Sequence, residues 1–127
     1  MRKAESLIYM FEIKVKSDFS AAHNLRNYEG KCERLHGHNW IVEASFKYPS
    51  LDDNGLAVDF KIAKAALKDS IEDLDHSYLN ESGPFKAINP TSENIARFIF
   101  DSIKKKIKNI HSVAVWENEK SCAVYYE

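Results

Sequence analysis

The sequence has few cysteines and no long run of apolar residues. Two cysteines, Cys32 and Cys122, occur among 127 residues, too few for the disulfide framework of a small secreted domain. Near the amino terminus, the apolar stretch runs only from residue 7 to residue 11 before Glu12. That is too short for the hydrophobic segment of a signal peptide or for a membrane-spanning helix. We therefore expect a soluble cytoplasmic protein that does not act at a membrane.

An excess of either charge is also absent. The 18 lysines and arginines nearly balance the 19 aspartates and glutamates, and the sequence pI is near 6.5. Because such a chain has no strong electrostatic field, binding to nucleic acid or to an anionic membrane is not expected. Internal repeats, low-complexity segments and interdomain linkers are missing as well, so residues 1–127 are predicted to form a single domain.

Apolar residues recur with a period of two in four segments, which predicts strands, and with helical spacing in two others. The resulting order is ββααββ, an α+β domain with a four-stranded antiparallel sheet and both helices on one face. Exposed sheet edges favour pairing with other subunits, so a homo-oligomer is expected. Asp59 is predicted to cap the first helix, and Cys122 to be a buried packing residue. The first strand is predicted to begin at 10 and to end within 20–23, and the other strands are predicted at 38–48, 112–117 and 121–126. The helices are predicted at 60–74 and from within 89–94 to 107.

Two histidines stand two residues apart at the start of the second strand, in His36-Gly37-His38. Side chains two apart on an extended chain point to the same face, so the two imidazoles form half of a metal site. Cys32 lies four residues upstream and can fold back toward the same cavity. His23 ends the first strand after small residues, although a lone histidine there is more often a surface or hydrogen-bonded residue.

Three imidazoles, from His23, His36 and His38, would leave the fourth position of a Zn²⁺ ion open, as catalytic zinc sites require. Zinc on a substrate oxygen acidifies neighbouring C–H and O–H groups, and a nearby thiolate or imidazole can remove the proton. Cys32 suits that task because a nearby metal lowers the pKa of a thiol. The alternative is that Cys32 is a fourth ligand and closes a structural site.

Two further groups have both a structural and a chemical interpretation. Asp75 and His76 are adjacent at the end of the first predicted helix. They are either a helix cap and a surface residue, or a carboxylate that orients an imidazole for proton transfer. Glu117, in an apolar strand, is either a charge at a hairpin end or a carboxylate that accepts two hydrogen bonds from a planar, amidine-like ligand edge.

Five pieces of the sequence together span nearly the whole chain: Phe19-Ser20-Ala21-Ala22-His23, Cys32-Glu33-Arg34-Leu35-His36-Gly37-His38, Leu74-Asp75-His76, Asn89-Pro90-Thr91-Ser92-Glu93 and Trp116-Glu117. In this order they resemble the motifs of the 6-pyruvoyl-tetrahydropterin synthase family. Three residues separate the cysteine from His-Gly-His, a spacing similar to that of the bacterial and archaeal 6-carboxy-tetrahydropterin synthase branch, which serves queuosine and other deazapurine pathways. The animal-type branch has a longer spacer.

The resemblance implies the tunnelling fold, in which subunit sheets join edge to edge in trimers that stack as hexamers with active sites at subunit boundaries. It implies that 7,8-dihydroneopterin triphosphate is converted to 6-carboxy-5,6,7,8-tetrahydropterin with loss of acetaldehyde and triphosphate. The implied residue roles are zinc ligation by His23, His36 and His38, proton abstraction by Cys32, a relay of Asp75 and His76, a pterin anchor at Glu117, and a pterin pocket lined by Thr91 and Ser92.

Several alternatives stay open. Related enzymes share the metal and acid-base residues but release 6-pyruvoyl-tetrahydropterin or 6-hydroxymethyl-dihydropterin. A non-catalytic pterin-binding module with structural zinc would use the same ligands. A generic zinc hydrolase is disfavoured because no glutamate lies one helical turn from the ligands. Lys31, Arg34 and Arg26 are candidate triphosphate ligands only because they lie near the histidine motif.

Overall fold

Five strands, two α-helices and two short 3₁₀ helices are formed in the part of the chain that the computed structural model describes, residues 10–30 and 33–127. Lys31 and Cys32 therefore lie outside the described residues. No helix within the described residues is long and apolar enough to cross a membrane. In chain order the elements are β1 (Phe11–His23), β2 (His36–Tyr48), α1 (Phe60–Ile71), β3 (Ser77–Tyr78), the 3₁₀ helices Leu79–Glu81 and Gly83–Lys86, α2 (Ser92–Lys104), β4 (Ile110–Asn118) and β5 (Ser121–Tyr126).

The strands form one sheet in the order β3-β1-β2-β4-β5. β1 and β2 pair antiparallel along their whole length, which places His23 opposite His36, and β4 and β5 continue the antiparallel pairing. The prediction of an α+β domain with two helices is confirmed, but the sheet has a fifth strand that the sequence did not predict. β3 has only two residues, too few to show an alternation, and it pairs parallel with β1 at Ala21 and Ala22.

The core lies between one face of the sheet and the two helices. Alternate residues of β1 and β2 are buried on this face because successive side chains of a strand point to opposite sides. α1 packs against β1, and α2 packs against β4 and β5. Trp40 is fully buried and stacks on Phe19 with ring centroids 5.8 Å apart. The other buried apolar residues of this core include Val15, Val42, Ala44, Phe46, Leu67, Ile95, Ile99 and Ile103.

The helix ends follow local hydrogen bonding. The Asp59 side chain accepts a hydrogen bond from the Lys61 N–H at 2.9 Å, which confirms the predicted cap of α1. α1 ends at Ile71 rather than at residue 74, because a turn at 72–76 carries the chain away to β3. α2 begins after Thr91, whose side chain accepts a hydrogen bond from the Asn94 N–H at 3.1 Å, and it ends at Lys104 rather than at residue 107.

The prediction that Cys122 is a buried packing residue is wrong. Cys122 is exposed and lies opposite Trp116 in β5, the last strand of the sheet. An apolar pattern in a short edge strand does not reveal which of its faces packs, since both the edge and one face can remain in solvent.

Candidate functional site

Three imidazoles meet where β1 ends and β2 begins. His23 and His36 are direct partners in the antiparallel pairing, and His38 follows two residues later on the same face of β2. The ring centroids lie 4.6 Å apart for His23 and His36, 4.8 Å for His36 and His38, and 5.2 Å for His23 and His38. One ligand-capable atom from each residue lies within 4.8 Å of the other two. The three side chains that the sequence predicted as ligands are thus brought together.

Backbone carbonyls fix the proton positions on two of these rings. His23 Nδ1 lies 2.8 Å from Pro90 O, and His36 Nδ1 lies 2.7 Å from Arg34 O. Because a carbonyl only accepts, each Nδ1 carries a proton and donates it, and in the neutral form of each ring the lone pair is then on Nε2. The two Nε2 atoms are 3.1 Å apart. Two lone pairs at that distance repel each other, an arrangement that a shared cation relieves.

The third imidazole presents a buried nitrogen that lacks a partner. His38 Nε2 is inaccessible to solvent and has no hydrogen-bond partner among the described residues. Burial lowers the pKa of His38, and the Glu117 carboxylate, with Oε2 3.8 Å from His38 Nε2, acts in the opposite direction. The lowered pKa favours the neutral ring, which is the form that binds metals. An unpaired buried nitrogen is costly unless a ligand satisfies it.

These observations fit a metal centre. Three imidazoles, two of them oriented by carbonyls through their outer nitrogens, are the donor set of a transition-metal site with three protein ligands. The cluster could therefore hold a metal ion. Sequence reasoning missed the carbonyls of Pro90 and Arg34, because backbone acceptors leave no mark in the residue pattern.

Trp40 forms one wall of the imidazole cluster. Its ring is fully buried and makes edge contacts with His23 and His38, at centroid distances of 4.8 Å and 5.1 Å. Its Nε1 donates a hydrogen bond to Ala21 O at 3.2 Å. The indole therefore excludes water from the core side of the site and limits rotation of two of the three rings. Its position two residues after His38 on the same strand face was a signal available in the sequence.

Glu117 approaches the imidazole cluster from β4. The pairing register of β4 with β5 shifts between Trp116 and Asn118, so Glu117 lies in a bulge, a feature that redirects a side chain. Ser92 Oγ, at the start of α2, donates to Glu117 Oε1 at 3.2 Å. Glu117 Oε2 points to His38 at 3.8 Å. A cavity of about 210 Å³ opens beside this carboxylate and is lined by Ser92, Glu93, Glu117, Ser121, Cys122 and Ala123.

Asp75 and His76 form a fixed pair at the outer side of β1. Asp75 Oδ1 accepts the Ser20 N–H at 2.9 Å and lies 3.0 Å from His76 Nδ1. The Ser20 N–H and the neighbouring imidazole lower the pKa of Asp75. His76 has a left-handed backbone, with φ +57°, and its side chain is 82% exposed. With Nδ1 directed to the carboxylate, the Nε2 of His76 is available to an incoming group. His76 borders a cavity of about 370 Å³, which is lined by Ser20, Ala21, Ala22, Gly37, His38, Asn39, His76 and Ser77.

The Arg26 guanidinium donates hydrogen bonds to backbone carbonyls of the same chain. The acceptors are the carbonyls of Asn80 at 2.9 Å, Phe85 at 2.7 Å and Ile88 at 3.3 Å. These contacts give Arg26 a structural role, and the triphosphate contact that its sequence position suggested stays a prediction. Arg34 contributes its carbonyl to His36, and its side chain is exposed.

The family model described as 6-pyruvoyl tetrahydropterin synthase matches residues 12–127. The chain belongs to this family. It is 38% identical over 123 residues to the 6-carboxy-5,6,7,8-tetrahydropterin synthase of Synechocystis, covering 92% of this chain and 94% of that one. It is 35% identical over 99 residues to the 6-pyruvoyl tetrahydrobiopterin synthase of Dictyostelium discoideum, covering 76% and 73%. The structure of Caenorhabditis elegans 6-pyruvoyl tetrahydropterin synthase superposes with a TM-score of 0.81 at 21% identity, covering 94% of this chain and 96% of that one. The family's fold is thus shared.

Proposed function

We propose that the protein is a zinc-dependent lyase that converts 7,8-dihydroneopterin triphosphate to 6-carboxy-5,6,7,8-tetrahydropterin, acetaldehyde and triphosphate. The observation that carries the proposal is the convergence of three imidazoles, those of His23, His36 and His38, with their donor atoms within 4.8 Å of one another. Membership of a tetrahydropterin synthase family supports a pterin as the substrate. The product would supply queuosine and related deazapurine biosynthesis.

The choice of product rests on relatives and on spacing. The Synechocystis relative is named for the 6-carboxy product and matches nearly the whole chain at 38% identity. The three-residue spacer between Cys32 and His36 also favours that branch. The Dictyostelium relative, named for a 6-pyruvoyl product, is 35% identical over a shorter length. Release of 6-pyruvoyl-tetrahydropterin is therefore the second candidate.

The metal held by the three imidazoles and the Glu117 carboxylate would bind different parts of the substrate. Zinc held by His23, His36 and His38 would supply an open coordination position and Lewis acidity for a substrate oxygen. Glu117 would accept two hydrogen bonds from the amino-pyrimidine edge of the pterin, a geometry that fixes the ring orientation. Ser92 supports this role because its hydroxyl holds one carboxylate oxygen at 3.2 Å. We further propose that Thr91 and Ser92 line the pterin pocket.

Proton transfer would fall to Cys32 and to the Asp75–His76 pair. Cys32, four residues before His36, would remove the proton from the side-chain carbon, since a thiol near a cation ionises readily. Asp75 accepts from His76 Nδ1 and leaves the other ring nitrogen as the basic one, which suits a relay. His76 is exposed at a sheet edge. We propose that the sheets of three subunits pair at their edges to form a trimer and that two trimers stack to form a homohexamer.

The deciding experiment is a product assay. Zinc-loaded protein is incubated with 7,8-dihydroneopterin triphosphate, and products are identified by mass spectrometry, with a His36→Ala variant as the matched control without its metal ligand. Formation of 6-carboxy-5,6,7,8-tetrahydropterin with acetaldehyde supports the proposal. A 6-pyruvoyl product would instead support the second candidate, release of 6-pyruvoyl-tetrahydropterin. Saturable pterin binding without turnover would identify a binding module instead and refute the lyase.

A further inference from the structure

The carbonyl that orients His23 belongs to a loop without strand pairing. Pro90 O accepts from His23 Nδ1 at 2.8 Å, and Pro90 is buried between the second 3₁₀ helix and α2. Pro90 has no N–H of its own with which to anchor the loop. The position of its carbonyl therefore depends on its neighbours in the chain.

Asn89 supplies that anchor through its side chain. The Arg26 N–H donates to Asn89 Oδ1 at 2.8 Å, and Asn89 Nδ2 donates to Arg26 O at 3.0 Å. The side-chain amide thus pairs with one backbone residue as a neighbouring strand would. The Arg26 guanidinium adds hydrogen bonds to the carbonyl of Ile88 on the same loop and to that of Phe85 in the preceding 3₁₀ helix. We call this set of contacts the Arg26–Asn89 clamp.

The clamp joins two short segments of the chain that both lie next to His23. Arg26 lies three residues after His23, and Asn89 lies immediately before Pro90. The backbone of His23 is already fixed by its pairing with His36, so the Pro90 side is the one that needs holding. If Pro90 O moves away, His23 Nδ1 loses its acceptor, and the proton no longer prefers that nitrogen.

We propose that Asn89 is a positioning residue of the metal centre, which holds the Pro90 carbonyl in place and thereby keeps His23 in the tautomer that presents Nε2 to the metal. This inference rests on the metal site of the proposed function, but it concerns metal affinity rather than turnover. It assigns to Asn89 a role that acts only through His23.

A second asparagine provides a matched control. Asn80 makes the same pair of bonds with Asn24, accepting from its N–H at 3.0 Å and donating to its O at 2.8 Å. Asn80 lies ten residues from Pro90 in the sequence, and its side chain makes no hydrogen bond to Asn89. Its one link to the clamp is its backbone carbonyl, which accepts from the Arg26 guanidinium at 2.9 Å and is retained when the side chain is replaced. Both substitutions remove two hydrogen bonds between a side-chain amide and the backbone, so their cost to stability should be similar.

The test measures zinc binding to metal-free protein, with zinc alone titrated against a chromophoric chelator. Asn89→Ala should weaken zinc affinity about 10- to 100-fold, whereas Asn80→Ala should stay within about twofold of the parent. Long-range ¹H–¹⁵N spectra of the imidazoles should show the Nδ1–H tautomer of His23 in the parent and in Asn80→Ala. In Asn89→Ala they should show a mixture of the Nδ1–H and Nε2–H tautomers. If either alanine variant does not fold, the pair Asn89→Asp and Asn80→Asp keeps one hydrogen bond and serves the same comparison.

Equal weakening by the two variants, or an unchanged affinity in the Asn89 variants, would overturn the positioning role and leave the proposed function intact. A parent protein that binds no zinc would overturn the metal centre itself and, with it, both proposals. The two failures are therefore distinguishable in one experiment.

Discussion

Replacing His38 with leucine should stabilise the metal-free protein while abolishing its response to zinc. His38 Nε2 is buried without a partner among the described residues. This imidazole should therefore lower the free energy of unfolding of the metal-free protein, a cost that its proposed role in metal binding explains. Leucine has a similar volume and no polar atom to satisfy. His23→Leu is the matched control, because His23 is also buried but its Nδ1 is hydrogen-bonded to Pro90 O.

The magnitudes follow from these contacts. A buried polar atom without a partner costs about 1–3 kcal/mol, and the His38 side chain is 21% exposed. We therefore expect the lower end, a gain of about 1 kcal/mol for His38→Leu, which raises the Tm by about 3–5 °C in a chain of this size. His23→Leu leaves the Pro90 carbonyl unpaired and should lose about 1–3 kcal/mol.

The assay is urea denaturation of parent and variants, at about pH 8 so that the imidazoles are neutral, once with chelator and once with excess zinc. Zinc at a thousand times its Kd should stabilise the parent by about 4 kcal/mol, and neither variant should show that gain. A metal-free His38→Leu protein less stable than the parent would refute the reasoning about the unpaired nitrogen. A variant that kept the full zinc gain would refute the ligand assignment.

Three further outcomes are expected. Cys32→Ala should keep zinc affinity but lose turnover, measured by metal titration and by product formation; loss of zinc instead would identify Cys32 as a ligand. Ser92→Ala should raise KM by about 3- to 10-fold, the loss of one hydrogen bond, with little change in kcat, because it frees the Glu117 carboxylate; steady-state kinetics checks this, and a fall in kcat alone would contradict it. Because the pKa of Asp75 is lowered in the folded protein, its ionised carboxylate stabilises the fold at pH values above the ordinary pKa of 3.8. This stabilisation is lost as the pH falls through the lowered pKa of the folded protein. Asp75→Asn should therefore be less stable than the parent near neutral pH, and thermal melts should show the difference shrinking below about pH 4.

Most of the fold follows from periodicity in the sequence. β1 and β2 alternate because one face is buried against the helices, and the helices recur at helical spacing for the same reason. Asp59 and the segment around Thr91 carry the chemistry of helix caps, so both starts were predictable. β3 was not predictable, because it forms only where the turn after α1 meets β1 and His76 N–H donates to Ser20 O at 2.6 Å.

The candidate site was predictable in its side chains but not in its supports. His36 and His38 share a face by spacing alone, and His23 joins them because the strand pairing ends there. The approach of Glu117 to His38 at 3.8 Å depends on a bulge in β4, and nothing in the local sequence marks that bulge. The carbonyl contacts of Arg26 were not predictable either, since proximity in sequence to a motif does not tell which carbonyls a guanidinium meets in space.

The position of the three imidazoles is fixed by core packing as much as by their spacing. A slip of one residue between β1 and β2 would move every side chain of one strand to the other face, and His23 would then point away from His36 and His38. Phe19 and Trp40 oppose each other in the observed register and stack with parallel rings. Burial of this aromatic pair rules out the slipped register, since the slip would expose one ring to solvent. The apolar core therefore selects the one strand alignment in which the metal ligands converge.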